Sequence, residues 1–325
     1  MNMRIVFMGT PEFAVTALQK LVESKYDIVG IITAPDQAAG RGKKIRMSAV
    51  KEFALTNNLA VLQPTNLKDP IFLEELRKLK ADIQVVVAFR MLPEVVWNMP
   101  PKGTFNLHAS LLPHYRGAAP INHAIINGET ETGVTTFFLD KEIDTGKIIL
   151  QSKCAITPND NAGTLHDKLM LLGAELIIET LQAIENNNYK IINQKEFIST
   201  NATLKSAPKI FKQDGEINWN SDSTTVLNKI RGLSPYPTSY SYIQLEGEHK
   251  PYYIKIFSAQ TVHLDYPKSK SGTIFTDSKS YIHVITANGV IALEEVQLEG
   301  KKRMQVFPFL RGFSLGTSSF FTSLT

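Results

Sequence analysis

Positions 106 and 108 of the stretch FNLHASLLPHYRGAAP (105–120) hold an asparagine and a histidine. An Asn amide donates N–H groups to an oxygen that is gaining negative charge, and a neutral imidazole takes or relays a proton near pH 7. Two residues apart on an extended strand, Asn106 and His108 point to one face. Asp144, in LDKEIDTGKI, follows the next strand-like run, 133–140. A carboxylate beside an imidazole fixes its tautomer and raises its basicity. The spacing also suits a plainer role, in which Asn106 and His108 satisfy backbone groups at a strand end. No nucleophile accompanies the three. There is no GxSxG, Ser110 falls on the opposite lip, and Cys154, in LQSKCAI, reads as a buried, inert thiol on a strand. Oxyanion donor, base and orienting acid without a nucleophile suit direct acyl transfer to a substrate amine. Pro113 stops the apolar run, and the loop after it forms a rigid lip on which a planar ligand can lie.

An alternating series of elements must position these groups. Near-continuous Val/Ile runs at 3–9, 27–33, 59–63, 83–89 and 103–109 suit strands of a parallel sheet covered on both faces. Helix-like stretches at 11–25, 48–58, 69–80 and 119–127 lie between and after them, the first with Thr10 as N-cap and Pro11 at the first helical position. Strand-like runs follow at 133–140 and 147–156. A helix at 164–186 then carries Leu165, Leu169, Leu172, Leu176, Ile177, Leu181 and Ile184 on one stripe. This β-α-β-α order implies a doubly wound, mostly parallel, Rossmann-like α/β domain over 1–188. A polar linker is expected at 189–207. Over 208–325 one helix (222–232) and short strands at 239–244, 251–263, 271–277, 281–287 and 290–298, separated by turn signals, imply a smaller, OB-like β-barrel. The tail FSLGTSSFFTSLT shows no interpretable pattern.

Composition limits the choices. At 43% hydrophobic and 20% charged residues, the 325-residue chain is an ordinary globular protein. No apolar run reaches the roughly 20 residues of a membrane span, one cysteine excludes an intrachain disulfide, and the cytoplasm is the expected compartment. The net charge is +4, and residues 189–325 carry 16 Lys+Arg against 11 Asp+Glu. That hints at a polyanionic partner for the C-terminal region. The loop TAPDQAAGRGKKIR (33–46) gathers Arg41, Lys43, Lys44 and Arg46 beside Gly40 and Gly42. Such a loop is either a solvated basic turn or a flexible arm for RNA phosphate and bases.

Taken together, FMGTPEFA at the start, PDQAAGRGKK, NLHASLLPHYRGAAPI, the DTG segment, DGEINW, IRGLSPYP and GKKRM resemble the 10-formyltetrahydrofolate-dependent formyltransferase family over both halves of the chain. Within that family the likeness is to members that formylate initiator methionyl-tRNA. The resemblance implies that Asn106 holds the formyl oxygen, that His108 moves the proton of the attacking amine, and that Asp144 orients His108. It also implies that Ser110, Leu111, Leu112 and Pro113 line the folate site and that Arg41, Lys43, Lys44 and Arg46 grip tRNA. Lys209, Lys212, Lys301, Lys302 and Arg303 are further candidates for phosphate contacts, and Phe13 for either a methionine pocket or the core. The implied partners are tRNA and a small folate, acting on a monomer, with no metal and no membrane. The chain departs from the family pattern at VVVAFRMLPE, where Arg90 replaces a glycine next to the expected pterin, and at Ala34 and Gln37 in the basic loop. A formyltransferase for a small amine and a non-catalytic RNA-binding protein are the rival readings. A nicotinamide site lacks its GxGxxG, and the seven histidines are scattered, with no HExxH or paired cysteines.

Overall fold

The computed structural model describes residues 3–39, 44–197, 203–245, 247–316 and 319–322. In chain order the first part holds β1 (Arg4–Gly9), α1 (Glu12–Glu23), β2 (Asp27–Ile32), β3 (Gln37–Ala39), β4 (Lys44–Arg46), α2 (Ala49–Thr56), β5 (Val61–Leu62) and α3 (Pro70–Lys78). It continues with β6 (Ile83–Val87), α4 (Glu94–Trp97), β7 (Thr104–His108), β8 (Arg116–Gly117), α5 (Pro120–Ile126), β9 (Glu131–Phe138), β10 (Ile148–Ala155) and α6 (Ala162–Glu185). Seven strands make one sheet in the order β10-β9-β7-β6-β1-β2-β5. It is parallel from β7 to β5, while β9 and β10 are antiparallel at one edge.

The order reverses at β1, which pairs with β2 on one side and β6 on the other. That reversal opens a crevice beyond the carboxyl ends of the strands. β6 is buried at every position and β1 at every position but Arg4, as strands covered on both faces must be. Val6, Met8, Ile32 and Val86 of the sheet pack with Phe72, Leu76, Leu92 and Val96.

The stripe of α6 is buried at Leu165, Leu169, Leu176, Ile177, Leu181 and Ile184. Gly173 sets how closely this helix meets β7, because a Cβ there would lie 2.6 Å from Leu107. Leu107 is the residue between Asn106 and His108, so the helix presses on the segment that aims both side chains. Two local expectations need correction. Pro11 itself stands at the N-cap of α1, with extended backbone and no side-chain cap, because the helix begins at Glu12 rather than at the proline. Cys154 is half-buried rather than enclosed, because β10 is an edge strand.

By their contacts the residues divide into two compact units: Met1–Pro120, Glu131–Ala155 and His166–Ser206, and Ile121–Thr130, Ile156–Leu165 and Ala207–Thr325. After β11 (Ser206–Ala207), the second unit contains α7 (Ser223–Leu233), β12 (Ser239–Gln244), β13 (Tyr252–Val262), β14 (Ile274–Thr276), β15 (Ile282–Ile285), β16 (Val290–Leu298), β17 (Met304–Gln305), α8 (Val306–Gly312) and β18 (Phe320–Thr322). Its strands run β14-β15-β16-β13-β12-β18, with β17 added to β16. An antiparallel bridge between Thr273 and Phe320 and a bond from the Phe321 N–H to the Gly272 carbonyl (2.8 Å) close the sheet on itself. The tail without a readable pattern therefore supplies the closing strand. Closure removes an open edge that would otherwise present unpaired backbone.

Phe321 is 5% exposed and stacks on Trp219 with ring centroids 4.9 Å apart. Phe321→Ala should destabilise the barrel by about 3–5 kcal/mol, read as lost hydrogen-exchange protection of barrel amides. A loss below about 1 kcal/mol would mean that β18 does not hold the barrel shut.

Candidate active site

β7 delivers the first two groups. Its Val86-paired residue, Asn106, is half-buried, and its amide has no hydrogen-bond partner among the described residues. His108, two residues on, is 7% exposed. Its Nε2 lies 2.8 Å from the Tyr115 carbonyl, which only accepts, so the hydrogen of a neutral ring sits on Nε2. The lone pair is then on Nδ1, and the nearest acid to it is Asp144, with Oδ2 at 3.7 Å. That separation is too long for a hydrogen bond and short enough to offset positive charge arriving on the ring. The backbone carbonyl sets the tautomer, and the carboxylate lies beside the other ring nitrogen.

Asp144 is held firmly. The Gly117 N–H donates to its Oδ2 at 2.9 Å, and its backbone sits in the left-handed region at φ 55°, which Asp tolerates better than most residues. Two residues later Gly146 passes so close to Phe138 that an added Cβ would lie 1.7 Å from that carbonyl oxygen. The buried Gln194 side chain bonds the carbonyls of both Asp144 and Gly146, each at 2.8 Å.

The lip after β7 is fixed from β9 and β10. The Thr135 hydroxyl donates to the Ser110 carbonyl (2.6 Å) and accepts from the Leu112 N–H (3.1 Å), while Gln151 donates to the Leu112 carbonyl (2.9 Å). Ser110, Leu112 and Pro113 are buried, and the Ser110 hydroxyl donates to the His114 carbonyl at 2.8 Å. Leu111, half-buried, is the member of the four with exposed surface. The Tyr115 N–H donates to the Lys205 carbonyl (2.6 Å), so the carbonyl that orients His108 belongs to an anchored turn.

At the sheet's switch point, Arg90 folds back and donates to the carbonyls of Pro64 and Thr65, the latter at 2.9 Å. Its guanidinium carbon also lies 5.7 Å from the Phe89 ring centre. Phe13 is 7% exposed and meets the His166 ring edge-on at 5.2 Å.

The basic loop emerges as a ribbon, with β3 paired to β4 from Gln37–Arg46 to Ala39–Lys44. Arg46 is exposed, Lys44 is placed by its backbone in β4, and Arg41 and Lys43 lie outside the described residues. The feet of the ribbon are tied. Thr33 and Ser48 share a hydroxyl bond of 2.7 Å, and Ser48 caps α2. Asp36 receives Gln63 at 2.8 Å and Lys51 at 2.6 Å, and these bonds, that from Gln63 foremost, hold its carboxyl below the usual range.

Of the three residues singled out in the sequence, the structure sets His108 and Asp144 3.7 Å apart and Asn106 two residues before His108 on β7. The Tyr115 carbonyl, and not Asp144, fixes the tautomer of the ring. Sequence reasoning missed the Tyr115 carbonyl, the Gly117 N–H and Gln194. The first two are backbone groups, which residue types do not announce. Gln194 stood in a stretch read as linker, where only the apolar pair Ile191 and Ile192 before it hinted at order.

This geometry coincides with a family resemblance. Residues 3–181 match the model for formyl transferase and residues 209–314 the model for formyl transferase, C-terminal domain. The chain belongs to the formyl transferase family. It is similar to the methionyl-tRNA formyltransferase of Bacteroides thetaiotaomicron, with 53% identity over 314 residues and 97% of each chain covered. The methionyl-tRNA formyltransferase of Flavobacterium johnsoniae is also 53% identical, over 96% of this chain and 97% of that one. Among solved structures, WlaRD, a sugar 3N-formyl transferase in the presence of dTDP and 5-N-formyl-THF, superposes with TM-score 0.65 at 22% identity, covering 93% of this chain and 100% of that one. HypX from Aquifex aeolicus, in complex with tetrahydrofolic acid, gives TM-score 0.62 at 17% identity over 97% of this chain and 49% of that one. At these identities the two structures speak for the fold.

Proposed function

We propose that this chain transfers the formyl group of 10-formyltetrahydrofolate to the α-amine of initiator methionyl-tRNA, giving N-formylmethionyl-tRNA for translation initiation. The observation that carries the reading is the unspent amide of Asn106, two residues from an imidazole whose lone pair faces a carboxylate. The amine attacks the formyl carbon, and the carbonyl electron pair moves onto oxygen. Asn106 donates to that oxygen. His108 takes the amine's proton through Nδ1, directly or through one water, and Asp144 offsets the charge on the ring. The tetrahedral carbon then collapses, the bond to the folate N10 breaks, and the His108 imidazolium gives its proton to that nitrogen. No protein atom bonds to the carbon.

The lip Ser110, Leu111, Leu112 and Pro113 forms the wall of the folate site, with Leu111 as its apolar face. Arg41, Lys43, Lys44 and Arg46 of the basic loop grip the tRNA. By the sequence reading the catalytic part spans 1–188 and the tRNA-binding barrel 208–325; the connecting stretch 189–207 packs with the catalytic part up to Ser206 rather than running free between the two. The enzyme acts in the cytoplasm as a monomer.

A single-turnover assay with formyl-labelled donor tests the reaction. Charged initiator methionine tRNA should be formylated, and elongator methionine tRNA far more slowly. Transfer to small amines or amino sugars, with none to charged tRNA, would establish the rival reading.

Arg46→Ala should raise the KM for tRNA severalfold. It should also flatten the slope of log kcat/KM against log salt by roughly 0.7–0.9 for each phosphate that the ribbon no longer neutralises. An unchanged slope would remove the ribbon from the tRNA interface.

A further inference from the structure

Gln194 sits outside every motif that pointed to the site, in a short 3-10 turn (Gln194–Phe197) of the segment that leads away from α6. It is nevertheless 1% exposed, among the most enclosed polar side chains of the chain. Every polar valence of its amide is used. Nε2 donates to the Asp144 and Gly146 carbonyls, and Oε1 accepts from Arg116 through Nε at 3.0 Å and Nη2 at 2.6 Å. The segment is brought there by a two-way bridge between Ile192 and Ile148, whose N–H groups donate to each other's carbonyls at 2.9 and 3.0 Å.

These contacts close a ring around the carboxylate. Arg116 is the residue before Gly117, and the Gly117 N–H donates to Asp144 Oδ2. One amide therefore grips both the backbone of Asp144 and the neighbour of the group that binds its side chain. Only a neutral carboxamide does both jobs, because the carbonyl pair needs donors and the guanidinium needs an acceptor. Asp144 itself holds a left-handed backbone, a conformation that persists only where its surroundings enforce it.

We propose that Gln194 is a positioning residue for formyl transfer, which holds the Asp144 carboxylate at its 3.7 Å station beside His108 and so makes the segment after α6 part of the catalytic apparatus. The inference rests on the catalytic role of Asp144 proposed above.

Gln194→Glu is the sharpest test. It keeps the acceptor for Arg116 and replaces both donors with an anionic oxygen facing two carbonyls. The turn of Asp144 then shifts without a change in the lip or the ribbon. The expected result is a 10- to 100-fold fall in kcat, the scale for removing a group that orients a reacting one, with KM for donor and tRNA within about twofold. In the Asp144→Asn background the same change should cost nothing further, because groups that act as a unit are not additive. Gln194→Met, of similar size and without charge, should behave like Gln194→Glu and guards against a folding artefact. Arg116→Met should cost less, since both donor bonds to the Asp144 turn survive. Unchanged kcat in folded Gln194→Glu and Gln194→Met, or a loss that adds in full to that of Asp144→Asn, would overturn the proposal. If Asp144→Asn alone kept wild-type turnover, the catalytic reading would fail instead, and the two failures are distinct.

Discussion

His108→Ala should reduce kcat for formylation by roughly 10²–10⁴, the usual contribution of a positioned acid–base group, with substrate KM values changed by no more than about threefold. The reason lies in the division of labour around the ring. The Tyr115 carbonyl takes the Nε2 hydrogen and leaves Nδ1 as the proton acceptor, while Asp144 Oδ2 at 3.7 Å meets the charge that follows. Removing the ring removes the acceptor and leaves the carboxylate with its Gly117 bond intact, so the loop need not collapse. The loss should therefore fall on turnover rather than on binding. A variant with wild-type kcat, or one in which KM absorbs the whole loss, would place the proton transfer elsewhere.

Asn106→Ala should cut kcat by roughly 10²–10³, the cost of removing one oxyanion donor. Stability should hardly move. The amide spends no hydrogen bond within the described residues and is half-exposed, so its truncation orphans no partner. That combination separates a group reserved for substrate from one that merely satisfies a strand end, the plainer reading that spacing alone left open. Thermal unfolding beside single-turnover kinetics checks it. A large drop in stability with little loss of rate would return Asn106 to a structural role. Asn106→Asp should be worse than Asn106→Ala, because it sets a negative charge where negative charge must develop.

Much of this arrangement was legible from residue types. Long Val/Ile runs marked the sheet because strands covered on both faces have no polar side to show, and β6 is buried throughout. Alternation put Asn106 and His108 on one face because a strand leaves its side chains no other choice. Asp144 was found by its place after β9, the strand that pairs with β7.

The remaining features had no such signal. The carbonyl of Tyr115 and the N–H of Gly117 exist in any sequence, and only the fold gives them a direction. Gln194 lies in KIINQKEF, whose polarity reads as solvent exposure, yet its amide is spent on two carbonyls and a guanidinium. The three-residue β18 is too short for a period, and it becomes a strand because the barrel needs closing. The ribbon β3–β4 hid among glycines and charges, since backbone pairing rather than an apolar face defines it.

Direct attack by the amine on the formyl carbon, with no covalent stage on the protein, is the centre of this account. Purified enzyme mixed with formyl-labelled 10-formyltetrahydrofolate, without tRNA, quenched within one turnover time and analysed by intact mass, tests it most directly. The expected spectrum shows unmodified protein at every time point, with label appearing only on methionyl-tRNA once that is added. A stoichiometric formyl adduct on the chain that is chased onto tRNA, whether at Ser110, Cys154 or His108, would contradict it.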